Sequence, residues 1–107
     1  MKLALLNTSI LTTTGTFKLE DISLDTAKKL VPENEILSAI GHKSTADVMT
    51  TLLNINIIAN RIEFAQETGQ KALVFKLNGR PEEGKILTAQ EIEQIGYKFQ
   101  LLTKLSD

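Results

Sequence analysis

Leu3-Ala4-Leu5-Leu6 is an apolar run with no polar interruption, set between Lys2 and the polar Asn7-Thr8-Ser9. A strand with one wet face alternates apolar and polar residues; a run without alternation reads as an interior strand covered on both faces. It is too short for a signal-peptide core or a membrane span. Another strand is read at Lys71 to Leu77 (Lys-Ala-Leu-Val-Phe-Lys-Leu). That segment is the best strand of the chain.

Other elements follow from period and punctuation. Asn7 to Gly15 is rich in Thr and Ser and reads as a loop, and Thr16 to Leu19 as a second short strand. Ser23 caps a helix whose Leu24, Ala27, Leu30 and Val31 share one face, and Pro32 is expected to end it. Glu33 to Ile40 reads as a short helical turn with Gly41 in the left-handed stop position. Ser44-Thr45-Ala46-Asp47 fits a capping box, with Ser44 as N-cap, Asp47 at N3, and Val48, Leu52 and Ile55 along the helix behind it. Ile57 to Ala65 mixes apolar and polar residues and reads as a strand; Gly69 and Asn78-Gly79-Arg80-Pro81 read as turns. Thr88 and Glu91 form a second capping box over Ala89 to Gln94, Gly96 ends that helix, and Tyr97 to Leu105 alternates as a last strand. Interleaved strands and helices imply an α/β or α+β fold, a small mixed sheet flanked by helices in one domain over 1–107.

Composition narrows the chemistry. The chain has 107 residues, 42% of them hydrophobic and 23% charged, and no internal repeat or linker, which excludes disordered and low-complexity classes. It has no cysteine, which excludes a disulfide scaffold, a thiolate metal site and cysteine catalysis, and which fits a reducing, cytoplasmic setting. The one histidine, His42, rules out a multi-histidine metal site within a chain. A net charge of −1 argues against coating of DNA. No P-loop, GxGxxG, HExxH or GxSxG pattern occurs.

His42 lies between a glycine and the start of a helix, where backbone N–H groups suit an anion such as a phosphate. A histidine beside a phosphate can give a proton to a leaving oxygen. The same position also fits a plain surface histidine in a turn. Arg61 and Arg80, the only arginines, offer planar donor forks for phosphate, or two weak surface ion pairs. Glu83, beside Glu82, could orient a histidine or act as a base, or be a solvated charge. Asn7, Thr8 and Ser9 follow the first strand, where ligands of open α/β sheets bind, or are simply a solvated loop.

Four segments together resemble one family: Leu5-Leu6-Asn7-Thr8-Ser9, Ile40-Gly41-His42-Lys43-Ser44-Thr45, Asn60-Arg61, and Arg80-Pro81-Glu82-Glu83-Gly84-Lys85-Ile86-Leu87-Thr88. They are similar to the viral anti-CRISPR ring nucleases that antagonise type III CRISPR immunity. The resemblance covers nearly the whole chain. It implies a homodimer of a small α/β domain that encloses cyclic tetra-adenylate. It further implies cleavage of that ring without metal or cofactor to linear products with 2′,3′-cyclic phosphate ends. Carried over by position, His42 matches the catalytic general acid. Arg80 and Glu83 match the arginine and the catalytic glutamate of a loop that closes over the ligand. Arg61, Asn7, Ser9, Ser44 and Thr45 match ligand-binding positions. Pro81 departs from the family pattern in that loop. Two other functions compete. One is a sponge that binds the cyclic nucleotide without cutting it. The other is a small DNA-binding regulator, suggested by a helix pair around Gly41 but opposed by the net charge and a lysine-poor second helix.

Overall fold

The apolar N-terminal strand, β1 (Leu3–Leu6), has a parallel neighbour on each side and is buried along its whole length because apolar clusters cover both faces of the sheet there, Leu3 and Leu5 in one and Ala4 and Leu6 in the other. The computed structural model describes residues 1–79 and 87–107. Along the chain follow β2 (Thr16–Ile22), α1 (Leu24–Glu33), β3 (Ile36–Ser38), α2 (Lys43–Leu53), β4 (Lys71–Leu77), α3 (Ala89–Ile95) and β5 (Tyr97–Ser106). The five strands form one sheet in the order β2-β5-β4-β1-β3. β1 pairs in parallel with β3 (Leu5 with Ser38) and with β4 (Leu6 with Val74). β5 is antiparallel to both β4 and β2. Among the described residues four strands therefore run one way and β5 opposes them, which makes a mixed sheet in a single α+β domain.

Among the described residues the three helices lie on one face. Ala27 and Val31 of α1, Val48, Met49, Leu52 and Leu53 of α2, and Ile92 of α3 share one core with Leu3, Leu5, Leu73, Phe75 and Phe99 of the sheet. The opposite face holds a smaller cluster, Ala4, Leu6, Ala72, Val74 and Leu102, packed by Phe17, Ala39 and Phe64 and by no helical residue. The chain after α2 adds Phe64 to that thin cover. Gln66 ties it down: its backbone N–H donates to Thr12 Oγ1 (2.9 Å), its carbonyl accepts from Thr13 Oγ1 (2.8 Å), and its side-chain amide donates to the carbonyls of Gln70 and Leu102.

Several local expectations hold for the expected reasons. Ser23 caps α1 by accepting from the backbone N–H of Thr26. Thr88 and Glu91 form the full capping box of α3, and Gly96 ends it at φ 89°, a conformation that favours glycine. β4 has the bounds read from the sequence, and β2 runs three residues further, to Ile22.

Others are corrected. Pro32 lies inside α1, which ends one residue later, at Glu33; a proline in the last turn removes one hydrogen bond without stopping the chain at once. Glu33 to Ile40 is not a helical turn. Its centre is β3, because β1 has an open edge to satisfy: Leu3 N–H donates to Glu35 O (2.8 Å) and Ala39 N–H to Leu5 O (2.9 Å). Gly41 takes no positive φ. The N-cap of α2 is His42, not Ser44, and the carboxylate of Asp47 pairs with Lys43 Nζ at 3.0 Å instead of closing a capping box. Ile57 to Ala65 forms no strand. Ile55 stands beyond the helix end, after Asn54 turns left-handed at φ 56°.

Candidate functional site

Because β1, β2, β3 and β4 point the same way, the chain leaves all of them at one edge of the sheet. Ligands of open α/β sheets bind outside the carboxyl ends of parallel strands. β1 lies between β3 and β4, so three adjacent strand ends deliver the candidate residues. Asn7 and Ser9, both partly buried, follow β1; Gly41 and His42 follow β3; the connection from β4 carries Arg80 and Glu83, which lie outside the described residues.

His42 is extended (φ −126°, ψ 126°) and its carbonyl accepts the first bond of α2, from Ala46 N–H at 3.1 Å. The amides of Lys43, Ser44 and Thr45 precede that bond and have no partner within the helix. They form the positive end of its dipole. The His42 side chain makes no capping bond and is exposed. An imidazole is therefore held at the mouth of an anion-favouring helix end with its nitrogens uncommitted to the cap. Ser44 and Thr45, half-buried in the same turn, add hydroxyls there.

Arg61 is brought to this point by a clip that sequence reasoning missed. Asn60 spans β3 and the irregular segment: its backbone N–H donates to Ile40 O (2.8 Å) and its amide to Ser38 O (2.9 Å). Ser38 Oγ donates to Ile58 O (2.6 Å), and Thr50 Oγ1 accepts from Ile57 N–H (2.9 Å). With the segment pinned, Arg61 Nη2 reaches Gly41 O at 3.4 Å, and a Cβ on Gly41 would lie 3.6 Å from Arg61 Nε. One guanidinium thus stands beside the residue preceding His42. The available signal was Ser38, a lone polar residue inside an apolar stretch. Asn60→Ala removes the side-chain bond to Ser38 and is expected to cost about 1–3 kcal/mol in urea unfolding.

The structure thus brings His42, Ser44, Thr45 and Arg61 together and sets Asn7 and Ser9 on the neighbouring strand end. It also removes the support for a DNA-binding helix pair, since the element before Gly41 is a strand.

The sequence profile described as STIV B116-like matches residues 3–99. The chain belongs to the STIV B116-like family. Its B116-like relatives include protein YddF of Bacillus subtilis (strain 168), 40% identical over 107 residues, with 98% of this chain and 99% of that one covered. Protein 26 of Sulfolobus islandicus filamentous virus is 37% identical over 83 residues, covering 77% of this chain and 70% of its own. B116 of Sulfolobus turreted icosahedral virus, a solved structure, matches with a TM-score of 0.83 at 28% identity, over 96% of this chain and 99% of that one. The B116-like family therefore spans proteins of archaeal viruses and of a bacterium. Among the described residues no helix is long and apolar enough to cross a membrane.

Proposed function

We propose that the protein is a metal-independent ring nuclease. In this reading a homodimer binds cyclic tetra-adenylate and cuts it to linear products with 2′,3′-cyclic phosphate ends, which switches off type III CRISPR signalling in the cytoplasm. The observation that carries the reading is an exposed imidazole, His42, at the start of α2, next to Gly41, whose carbonyl accepts from the clipped guanidinium of Arg61. The motif runs around His42 and around Glu83 support it from the sequence side.

The chemistry asks little of the protein. The substrate's own 2′-hydroxyl attacks the adjacent phosphorus, the bond from phosphorus to the 5′-oxygen breaks, and the departing oxygen takes a proton from His42. The 2′ proton leaves to a base, a role open to Glu83. The free amides of α2 and the arginines balance the charge that builds on the phosphorane. Asn7, Ser9, Ser44 and Thr45 supply hydrogen bonds to sugar or base edges. None of these steps calls on a resident metal or cofactor.

A second copy completes the site. Two chains supply Arg61 and Arg80 twice each, one guanidinium for each of the four ring phosphates, while each chain keeps a net charge of −1. A two-fold dimer matches a ring of even symmetry and gives one His42 to each of two opposite phosphates. Exposed Leu19, Ile58 and Ile62 offer apolar surface for a partner to cover.

Titration calorimetry with cyclic tetra-adenylate and His42→Ala protein tests the binding part, with an expected stoichiometry of one ring per two chains and no binding of the linear tetramer of comparable strength. Arg61→Ala is expected to weaken that binding by about 1.5–3 kcal/mol, roughly ten- to a hundredfold. Tight binding with the ring recovered intact from wild-type protein favours a sponge; no binding defeats the proposal.

A further inference from the structure

The turn Asn78-Gly79 stands where the chain leaves β4. The last ladder pair of that strand is Leu77 with Tyr97. Asn78 is still tethered on one side, because its backbone N–H donates to Gly96 O at 2.9 Å. Past that bond the backbone bends, and both Asn78 and Gly79 are exposed. Among the described residues Gly79 N–H enters no backbone bond.

An Asn-Gly pair has a reaction of its own. The glycine amide nitrogen attacks the asparagine Cγ, a five-membered succinimide closes, and the side-chain nitrogen leaves as ammonia. Water then opens the ring at one carbonyl or the other. One opening gives aspartate; the other gives isoaspartate, in which the main chain runs through the former side chain. The reaction needs an unhindered nitrogen outside a hydrogen-bonded ladder, and a backbone able to carry that nitrogen to Cγ. Glycine, with no Cβ, meets both needs best.

The other asparagines lack these conditions. Asn7, Asn34, Asn54, Asn56 and Asn60 precede Thr8, Glu35, Ile55, Ile57 and Arg61, and Asn78 alone precedes a glycine. The side-chain amides of Asn34 and Asn60 are also held, donating to Leu30 O and Ser38 O at 2.8 and 2.9 Å. The Asn78 side chain instead rests over the bare α-carbon of Gly96, where an added Cβ would lie 2.5 Å from Nδ2. That contact is van der Waals packing, which the side chain can leave by rotation about its own bonds.

We propose that Asn78 is a self-modifying site, deamidating spontaneously through a succinimide with Gly79. The product carries a carboxylate two residues before Arg80, in a chain whose net charge is already −1. If the ring-nuclease reading above holds, on which this consequence alone rests, the aged form binds the polyanionic ring less tightly.

The test is to age the full-length protein at 37 °C in mildly acidic and mildly alkaline buffer and to map its peptides by chromatography and mass. The peptide holding Asn78 is expected to gain one mass unit and split into aspartate and isoaspartate peaks, faster in alkali, where the attacking nitrogen is more readily deprotonated. Peptides holding the other asparagines should keep their mass, and Asn78→Gln, which would have to close a larger ring, should remove the gain. A synthetic peptide spanning Leu77 to Arg80 serves as the unfolded reference. Deamidation of that peptide with none at Asn78 in the folded protein would overturn the proposal. Aged wild type and fresh Asn78→Asp are expected to bind cyclic tetra-adenylate about two- to fivefold more weakly than fresh wild type, the usual effect of one exposed charge. Deamidation at unchanged affinity would overturn the functional consequence. Fresh wild type that binds no ring would overturn the ring-nuclease reading, while the mass gain would still decide the modification.

Discussion

His42→Ala is expected to lower the rate of cyclic tetra-adenylate cleavage by about a hundred- to ten-thousand-fold, the usual contribution of a positioned general acid. Binding of the ring should stay within a few-fold of wild type, because in the proposed reaction His42 acts on the leaving oxygen while arginines and helix amides hold the phosphates. Residual cleavage should persist, since alignment of the 2′-hydroxyl with the phosphorus survives the substitution. The variant is a clean chemical test for a structural reason. The His42 side chain is exposed and makes no capping bond, so its loss should change stability by no more than about 0.5 kcal/mol. Single-turnover rates with protein in excess over the ring measure the effect. An unchanged rate would assign proton donation to another group and leave His42 as a surface residue.

The second large effect concerns the core behind the site. Phe75 is 1% exposed at the middle of β4 and packs between Phe99, at 5.1 Å between ring centres, and Tyr97, at 6.0 Å. Tyr97 and Phe99 complete the triangle edge-on at 5.8 Å. Burial raises the pKa of the Tyr97 phenol above its ordinary value, with Glu93 and Asp25 adding to the shift. Phe75→Ala leaves a cavity between the sheet and its helices and is expected to cost about 3–5 kcal/mol. For a domain of this size the total stability is about 5–15 kcal/mol, so the variant should be marginal at 37 °C. Urea unfolding read by circular dichroism checks it through a fall in midpoint at an unchanged slope. A loss below about 1 kcal/mol would mean that the three rings are not the packed centre of this core.

The parts of the fold that were legible in the sequence were those governed by local chemistry. β1 and β4 announced themselves by apolar runs, α1 and α3 by Ser23 and Thr88 caps, and the end of α3 by Gly96. What could not be read locally was set by partners distant in sequence. Ile36 to Ser38 is a strand because β1 needs a ladder on its outer edge, which no local propensity reports. Ile57 to Ala65 has a strand-like composition, but its backbone bonds go to Ser38, Thr50 and Ile40, so it crosses the edge as an irregular strap. The S-T-x-D pattern misplaced the start of α2 by two residues, since Asp47 found Lys43 one turn away. For the site, residue types at His42 and Arg61 pointed to phosphate chemistry, whereas their juxtaposition depends on the Asn60 clip and became visible only in three dimensions.

The most direct measurement is to incubate the wild-type protein with labelled cyclic tetra-adenylate in excess EDTA and to resolve the products by chromatography and mass. A metal-independent ring nuclease converts the ring completely to short linear oligoadenylates whose masses are one water below those of the open phosphates, as 2′,3′-cyclic ends require. Recovery of the intact ring, or conversion that stops when divalent ions are chelated, would contradict it.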